Sequence, residues 1–389
     1  MDNVIPEANS THNNRIFLSP PDTSQLEVDA LTNTILKHGM GPGGNEVSLF
    51  EQEIAEYCQS QFAVALSSGT SALHLGLLSL GVKPGDEVIV PTLTFGATAF
   101  AVAYTGAKPI FLDVETQSWN LDSELLEKFL QDRSKCGTLP KVIITVDLFG
   151  RVCDYESVLD IAKQYEIPVL ADAAEALGAQ YKGKNNGNFG KVNVLSFNGN
   201  KIISTSGGGM LLTDNIELAN KVRYWANQSR EPLPWYEHKE IGYNYRLSNL
   251  LATLGRAQLS RLPELIKRRR RNRDLYSSIL QSMPGLIVQL DAPWSKSNAW
   301  LTTMTFDSKK FFDAPKIIRE KLETLNIETR PIWKPLHLQP VFANNHRYLS
   351  GNAEQIYKEG LCLPSGSTMR DEDVERVSNL ILSSIKNVQ

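Results

Sequence analysis

The sequence predicts an α/β protein: a mostly parallel, seven-stranded sheet sandwiched by helices, followed by a smaller α+β part. Two observations predict it. Seven short apolar runs alternate with turn residues and helical stretches: Phe62–Leu66, Val88–Val90, Ile110–Leu112, Val142–Val146, Val169–Ala171, Val194–Phe197 and Met210–Leu212. Runs without polar interruption suit strands covered on both faces, and strand–helix–strand alternation is how a parallel sheet is wired. The pattern then changes near residue 260, which divides the chain into a large domain, 16–260, and a small one, 261–389.

Within the large part, Phe50, Ile54, Tyr57 and Cys58 recur at helical spacing and give one face of an amphipathic helix. Val158, Ile161, Ala162 and Tyr165 do the same. A long helix starts near Leu247 and carries the cluster Lys267-Arg268-Arg269-Arg270-Arg271-Asn272-Arg273. The small part offers a strand-like run at Trp300–Phe306 and a helix over Ala314–Leu325. A proline-rich stretch, Arg330-Pro331-Ile332-Trp333-Lys334-Pro335, and a last helix from Asp371 complete it.

Composition narrows the function classes. The 389 residues are 42% hydrophobic and 21% charged with a net charge of −3, ordinary globular usage without a basic field for nucleic acid. The basic cluster lacks interleaved aromatics and reads as a solvated or interface helix face. Cys58, Cys136, Cys153 and Cys362 form no CxxC pair, and Met1–Glu7 is polar and acidic without a leader pattern, so the expectation is a reduced, cytoplasmic protein. The most apolar stretch, Phe95 to Tyr104, is too short for a membrane span. The six histidines show no metal-ligand spacing, and no metal is expected.

Three segments carry chemistry. Ser67-Ser68-Gly69-Thr70-Ser71 follows the first strand and opens a helix, where free N–H groups and hydroxyls suit a phosphate or simply cap the helix. A dinucleotide site would want GxGxxG there, and it is missing. Asp172 closes the strand Val169–Ala171, where α/β sheets place ligand-contacting side chains; it either meets a cation or caps the next helix. Lys201 lies between Ser196-Phe197-Asn198 and Ser206-Gly207-Gly208-Gly209, as a desolvated amine nucleophile or an ordinary surface lysine. A phosphate cradle, an acid for a ring nitrogen and an amine, taken together, are what pyridoxal 5′-phosphate requires.

Five motifs in order make the resemblance specific: Gly69–Leu73, Pro91–Thr98, Asp172–Ala179, Ser196–Lys201 and Gly242-Tyr243-Asn244-Tyr245-Arg246. They resemble the DegT/DnrJ/EryC1/StrS family of nucleotide-sugar aminotransferases, from about residue 15 to the carboxyl terminus. The resemblance implies the fold-type I architecture and a homodimer with shared active sites. It implies that Lys201 holds the cofactor as a Schiff base and shuttles a proton, that Asp172 pairs with the pyridinium nitrogen and that Phe95 stacks on the ring. Glu175 would sit near the phenolic oxygen, where many members have Gln. Gly69, Thr70, Ser71 and Ser196 fall at the phosphate, with Asn244 reaching it from the other subunit. A branch of the family that dehydrates its substrate has histidine in place of the lysine; Lys201 favours transamination.

Within the family, Ser196–Met210, Gln228-Ser229-Arg230-Glu231, Trp300-Leu301-Thr302-Thr303, Arg330–His337 and Leu361–Gly366 look most like enzymes acting on UDP-4-keto-6-deoxy-N-acetylglucosamine with L-glutamate as amino donor. Arg330 and Lys334 suit a diphosphate or a glutamate carboxylate, Trp333 a sugar or base face, and His337 the substrate's neighbourhood; equally, the Trp-Pro stretch is a packed loop on the small domain. The same chemistry on a dTDP-3-keto or GDP-4-keto sugar is the alternative. A non-catalytic sensor is disfavoured by intact Lys201, Asp172 and Ser196.

Overall fold

The computed structural model describes residues 15–38 and 45–385; what the sequence suggests about the first 14 residues and about His38's side chain lies outside these. The helices are α1 (Gln25–His38), α2 (Asn45–Cys58), α3 (Gly69–Ser79), α4 (Gly96–Tyr104), α5 (Ser123–Lys135), α6 (Tyr155–Gln164), α7 (Ile216–Ala226), α8 (Asn249–Leu280), α9 (Ala314–Thr324), α10 (Asn352–Glu359) and α11 (Asp371–Ile385). The strands of the first half are β1 (Phe62–Leu66), β2 (Glu87–Pro91), β3 (Lys108–Leu112), β4 (Val142–Val146), β5 (Val169–Asp172), β6 (Gln180–Tyr181), β7 (Lys184–Asn185), β8 (Val192–Ser196) and β9 (Gly209–Thr213). The second half adds β10 (Leu286–Val288), β11 (Ser295–Lys296), β12 (Thr302–Phe306), β13 (Arg330–Pro331), β14 (Arg347–Tyr348) and β15 (Gly360–Leu363).

All seven apolar runs are strands of one sheet, ordered β1-β9-β8-β5-β4-β2-β3-β14. The two-residue strand β14 is an eighth member that the sequence reading did not contain; it pairs in parallel with β3. Only β9 runs against its neighbours. The central strand Val142-Ile143-Ile144-Thr145-Val146 is buried at every position, as expected of a β-branched run covered on both faces. A second sheet, β10-β12-β15-β13, is antiparallel throughout.

The register of the central strands positions the site. Val146 pairs with Asp172, and Asp172 with Val194, so β4, β5 and β8 end side by side. On the same edge of the sheet β1 gives way to α3, whose N-cap Ser68 accepts a hydrogen bond from Ser71 N–H at 3.0 Å. Carboxyl ends of parallel strands beside a helix N-terminus form the crevice where such sheets bind ligands.

Helix α8 is the spine against which α1, α2 and α11 pack. Its basic cluster, expected from the sequence as a solvated or interface helix face, is divided: Lys267 and Arg271 are exposed, while other members turn inward. Arg269 and Arg273 are buried, at 1% and 9% exposure. Arg269 Nη1 donates to Ser19 Oγ at 3.1 Å, to the Trp300 carbonyl at 2.7 Å and to the Ser365 carbonyl at 3.2 Å. Helical spacing turns every third or fourth residue of a basic run inward, and here the inward guanidinium ties three loops together.

Candidate active site

A cavity of about 1040 Å³ opens where the strand ends meet the second sheet. Gly69, Thr70, Phe95, Asp172, Glu175, Ser196, Lys201, Arg330, Trp333 and Lys334, all expected from the sequence, line it. At one end of it, α3 begins with N–H groups that have no partner within the helix, a place suited to an anion. A Cβ on Gly69 would lie 3.0 Å from Ser196 Cβ, so glycine there lets the end of β8 close on the helix start. Ser71 does not line the cavity: its hydroxyl is engaged by Ser67 Oγ at 2.9 Å and Ser68 Oγ at 2.6 Å. Ser68, named in the same segment but given no role of its own, lines it instead.

Asp172 is buried at the end of β5. Its Oδ2 accepts from Thr98 Oγ1 at 2.7 Å and its Oδ1 from Ala174 N–H at 3.2 Å. Burial pushes its carboxyl above the usual range, opposed by these two donors and by the charge of Lys201. A carboxylate held this way favours a protonated nitrogen placed against it. Glu175 is buried as well; its Oε2 accepts from Phe149 N–H at 2.7 Å, and its Oε1 lies 3.3 Å from Lys201 Nζ. Burial raises its carboxyl too, with Lys201 the strongest opposing influence.

Phe95 is 59% exposed, an unusual state for phenylalanine, and the exposed ring borders the cavity. Its ring centroid is 5.5 Å from that of Trp333, which lies 4.9 Å from Phe149. Arg330 is engaged by Glu328 Oε1, at 3.0 Å from Nε and 2.7 Å from Nη2. Lys334 is exposed and has no carboxylate partner among the described residues. His337 does not line the cavity. It is buried with Nδ1 at 2.6 Å from Thr92 Oγ1 and Nε2 at 3.3 Å from Glu354 Oε1, so its nitrogens are spent fixing the loop after Pro335. Asn244 is exposed and also outside this cavity, bridged to Asn227.

Sequence reasoning missed Thr98, Trp300 and Glu328 as members of the site. Thr98 closed a motif already singled out, but nothing local says that its hydroxyl meets Asp172. Trp300 stood in a stretch quoted for the substrate resemblance, but nothing local gave it a role beside Lys201.

The chain matches the DegT/DnrJ/EryC1/StrS aminotransferase family over residues 22–382. It belongs to that family. EpsN of Bacillus subtilis, named as a candidate pyridoxal phosphate-dependent aminotransferase, is 41% identical over 379 residues, 96% of this chain and 97% of EpsN. The GDP-perosamine synthase of Caulobacter vibrioides is 34% identical over 364 residues, 93% of this chain and 96% of that one. Among solved structures, Helicobacter pylori PseC, an aminotransferase involved in the biosynthesis of pseudoaminic acid, has a TM-score of 0.87 at 26% identity, covering 96% of this chain and 100% of PseC.

The family's cofactor is pyridoxal 5′-phosphate, and this chain is a pyridoxal phosphate-dependent aminotransferase. The residues present fit the cofactor: an anion cradle at α3, a buried carboxylate at Asp172, an amine at Lys201 and an exposed ring at Phe95 border one cavity. When bound, the cofactor supplies an electron sink for the carbon that carries the amine.

Proposed function

We propose that this enzyme transfers the amino group of L-glutamate to C4 of UDP-4-keto-6-deoxy-N-acetylglucosamine. The observation that carries the reading is the cavity. At about 1040 Å³ it exceeds what a cofactor of this size fills, and beside the cofactor residues it carries Trp333, Arg330 and Lys334. An indole face next to Lys334, and to Arg330 as held by Glu328, suits a sugar or base joined to a diphosphate. In this reading Lys201 bonds the cofactor and afterwards carries the proton at the reacting carbon, while Asp172 keeps the ring nitrogen protonated. Gly69, Thr70 and Ser196 bind the phosphate, Phe95 covers one face of the ring, and Glu175 lies toward the phenolic oxygen. Glutamate loads the amine and the keto sugar then accepts it.

A second reading has its own support: the similarity to a GDP-perosamine synthase favours a GDP-linked keto sugar. Incubation with L-glutamate and a panel of UDP-, GDP- and dTDP-linked keto sugars, read by product mass, separates the two. Mass gain on the UDP sugar alone supports the proposal, and gain on the GDP sugar alone replaces it.

We further propose a cytosolic homodimer in which residues 16–260 and 261–389 act as two domains spanned by α8. In support, Asn244 is exposed and does not line its own cavity, and Trp235, Tyr236 and Ile241 nearby are 58%, 77% and 88% exposed. An apolar surface of that kind calls for a partner. No helix among the described residues is long and apolar enough to cross a membrane.

A further inference from the structure

If Lys201 is the amine that bonds the cofactor, it spends part of every cycle unattached, and the structure has a place built for it. Its Nζ lies 3.3 Å from Glu175 Oε1 and 3.9 Å from the centroid of the Trp300 ring. Both walls are fixed from behind. Trp300 is 1% exposed, and its Nε1 donates to the Asn200 carbonyl at 2.6 Å. Its N–H donates to Asn298 Oδ1 at 2.9 Å, while its carbonyl accepts from the buried Arg269 at 2.7 Å. The Nδ2 of the same Asn298 donates to the Glu175 carbonyl at 2.8 Å. One asparagine therefore sets the indole and the carboxylate relative to each other. Asp172, whose oxygens accept from Thr98 and Ala174, makes no ion pair with Lys201; Glu175 does.

A carboxylate on one side and an indole face on the other bind an ammonium, and both attractions strengthen where water is excluded. We propose that Glu175 and Trp300 form a resting site for the Lys201 ammonium whenever the lysine is not bonded to the cofactor. By stabilising that state, they set the balance between the two cofactor forms. The exchange conserves atoms and charge. The bond between Lys201 Nζ and the cofactor carbon breaks as the substrate nitrogen bonds to the same carbon. Across the exchange the incoming ammonium gives up two protons as it forms the new double bond, and the lysine nitrogen takes two as it leaves its own, departing as the ammonium. No oxidant or reductant is needed.

The inference rests on the assignment of Lys201 given above, and the experiment keeps the two apart. Holoenzyme is equilibrated with fixed ratios of L-glutamate and 2-oxoglutarate, and visible absorbance reports the fraction in which the lysine is bonded to the cofactor. Relative to wild type, Glu175→Gln should shift the equilibrium constant toward the lysine-bonded form by about tenfold or more, as expected for loss of a buried charged hydrogen bond. Trp300→Phe, which keeps a smaller and weaker ring, should shift it in the same direction by roughly two- to tenfold. A purely structural role would lower the melting temperature without moving this ratio. Unchanged ratios in both variants, each still forming the lysine-linked chromophore, overturn the resting site. Absence of that chromophore in wild type removes the Lys201 assignment, and the resting site with it.

Discussion

Thr98 Oγ1 donates a 2.7 Å hydrogen bond to Asp172 Oδ2, joining the first turn of α4 to the end of β5. Thr94 Oγ1 lies 2.9 Å behind it, so with the Thr98 proton committed to Asp172, the Thr94 hydroxyl supplies the other proton. Both threonines are buried. The relay stabilises the ionised form of a carboxyl that burial pushes the other way.

Thr98→Val removes that donor at nearly constant volume. A hydrogen bond to a charged group is worth about 1.5–3 kcal/mol, so the glutamate half-reaction should slow by roughly ten- to a hundredfold. Stopped-flow absorbance measures it. Wild-type rates in a properly loaded variant would reduce the relay to a packing contact.

Lys201 should be the residue that borohydride fixes to the cofactor. Peptide mass mapping of the reduced holoenzyme should find the added mass on Lys201, and Lys201→Ala should bind cofactor yet lose turnover by several orders of magnitude. Label on another lysine would move the whole assignment.

Much of this was legible in the sequence because it is local. Val142–Val146 has the composition of a doubly covered strand, and Gly69-Thr70-Ser71 announces a helix start. The rest depends on contacts between distant segments. Arg269 looks like one more surface cation until α8 turns it toward Ser19, Trp300 and Ser365. His337 shares the chemistry of a substrate ligand, but Thr92, 245 positions away, takes its ring. Ser71 reads as a phosphate ligand by motif, and only the positions of Ser67 and Ser68 show its hydroxyl turned inward. The two-residue β14 is too short for any periodicity to mark it.

Asp147 supplies a pH test independent of catalysis. It is buried beside Asp172, accepts from Cys153 N–H at 2.9 Å, Tyr155 OH at 3.0 Å and Asn186 Nδ2 at 2.7 Å, and burial still pushes its carboxyl up to about 7. Between the unfolded value near 3.8 and about 7 the native state holds a proton that the unfolded chain has released. Stability from this group is therefore full below that window and lost as pH rises through it. Urea unfolding from pH 4 to 7 should show a negative slope in wild type that Asp147→Asn reduces by up to about one proton. Equal slopes in the two proteins would mean that Asp147 stays ionised.

Asn244 decides whether the active site is shared. It lies just before α8, is exposed, and is absent from its own cavity. If it completes the neighbour's phosphate site, a two-fold contact makes each subunit supply one part of each site. Lys201→Ala and Asn244→Ala proteins, each severely impaired alone, can then rescue one another when mixed and allowed to exchange. In a mixed dimer one site collects both lesions and the other receives an intact Lys201 and an intact Asn244. With random exchange of equal amounts, half of the dimers are mixed, so about a quarter of all sites should regain full activity. Size-exclusion chromatography with differently tagged subunits verifies the exchange. No recovery after verified exchange, or full activity in a monomer, would leave Asn244 as a residue that only bridges to Asn227 within its own chain.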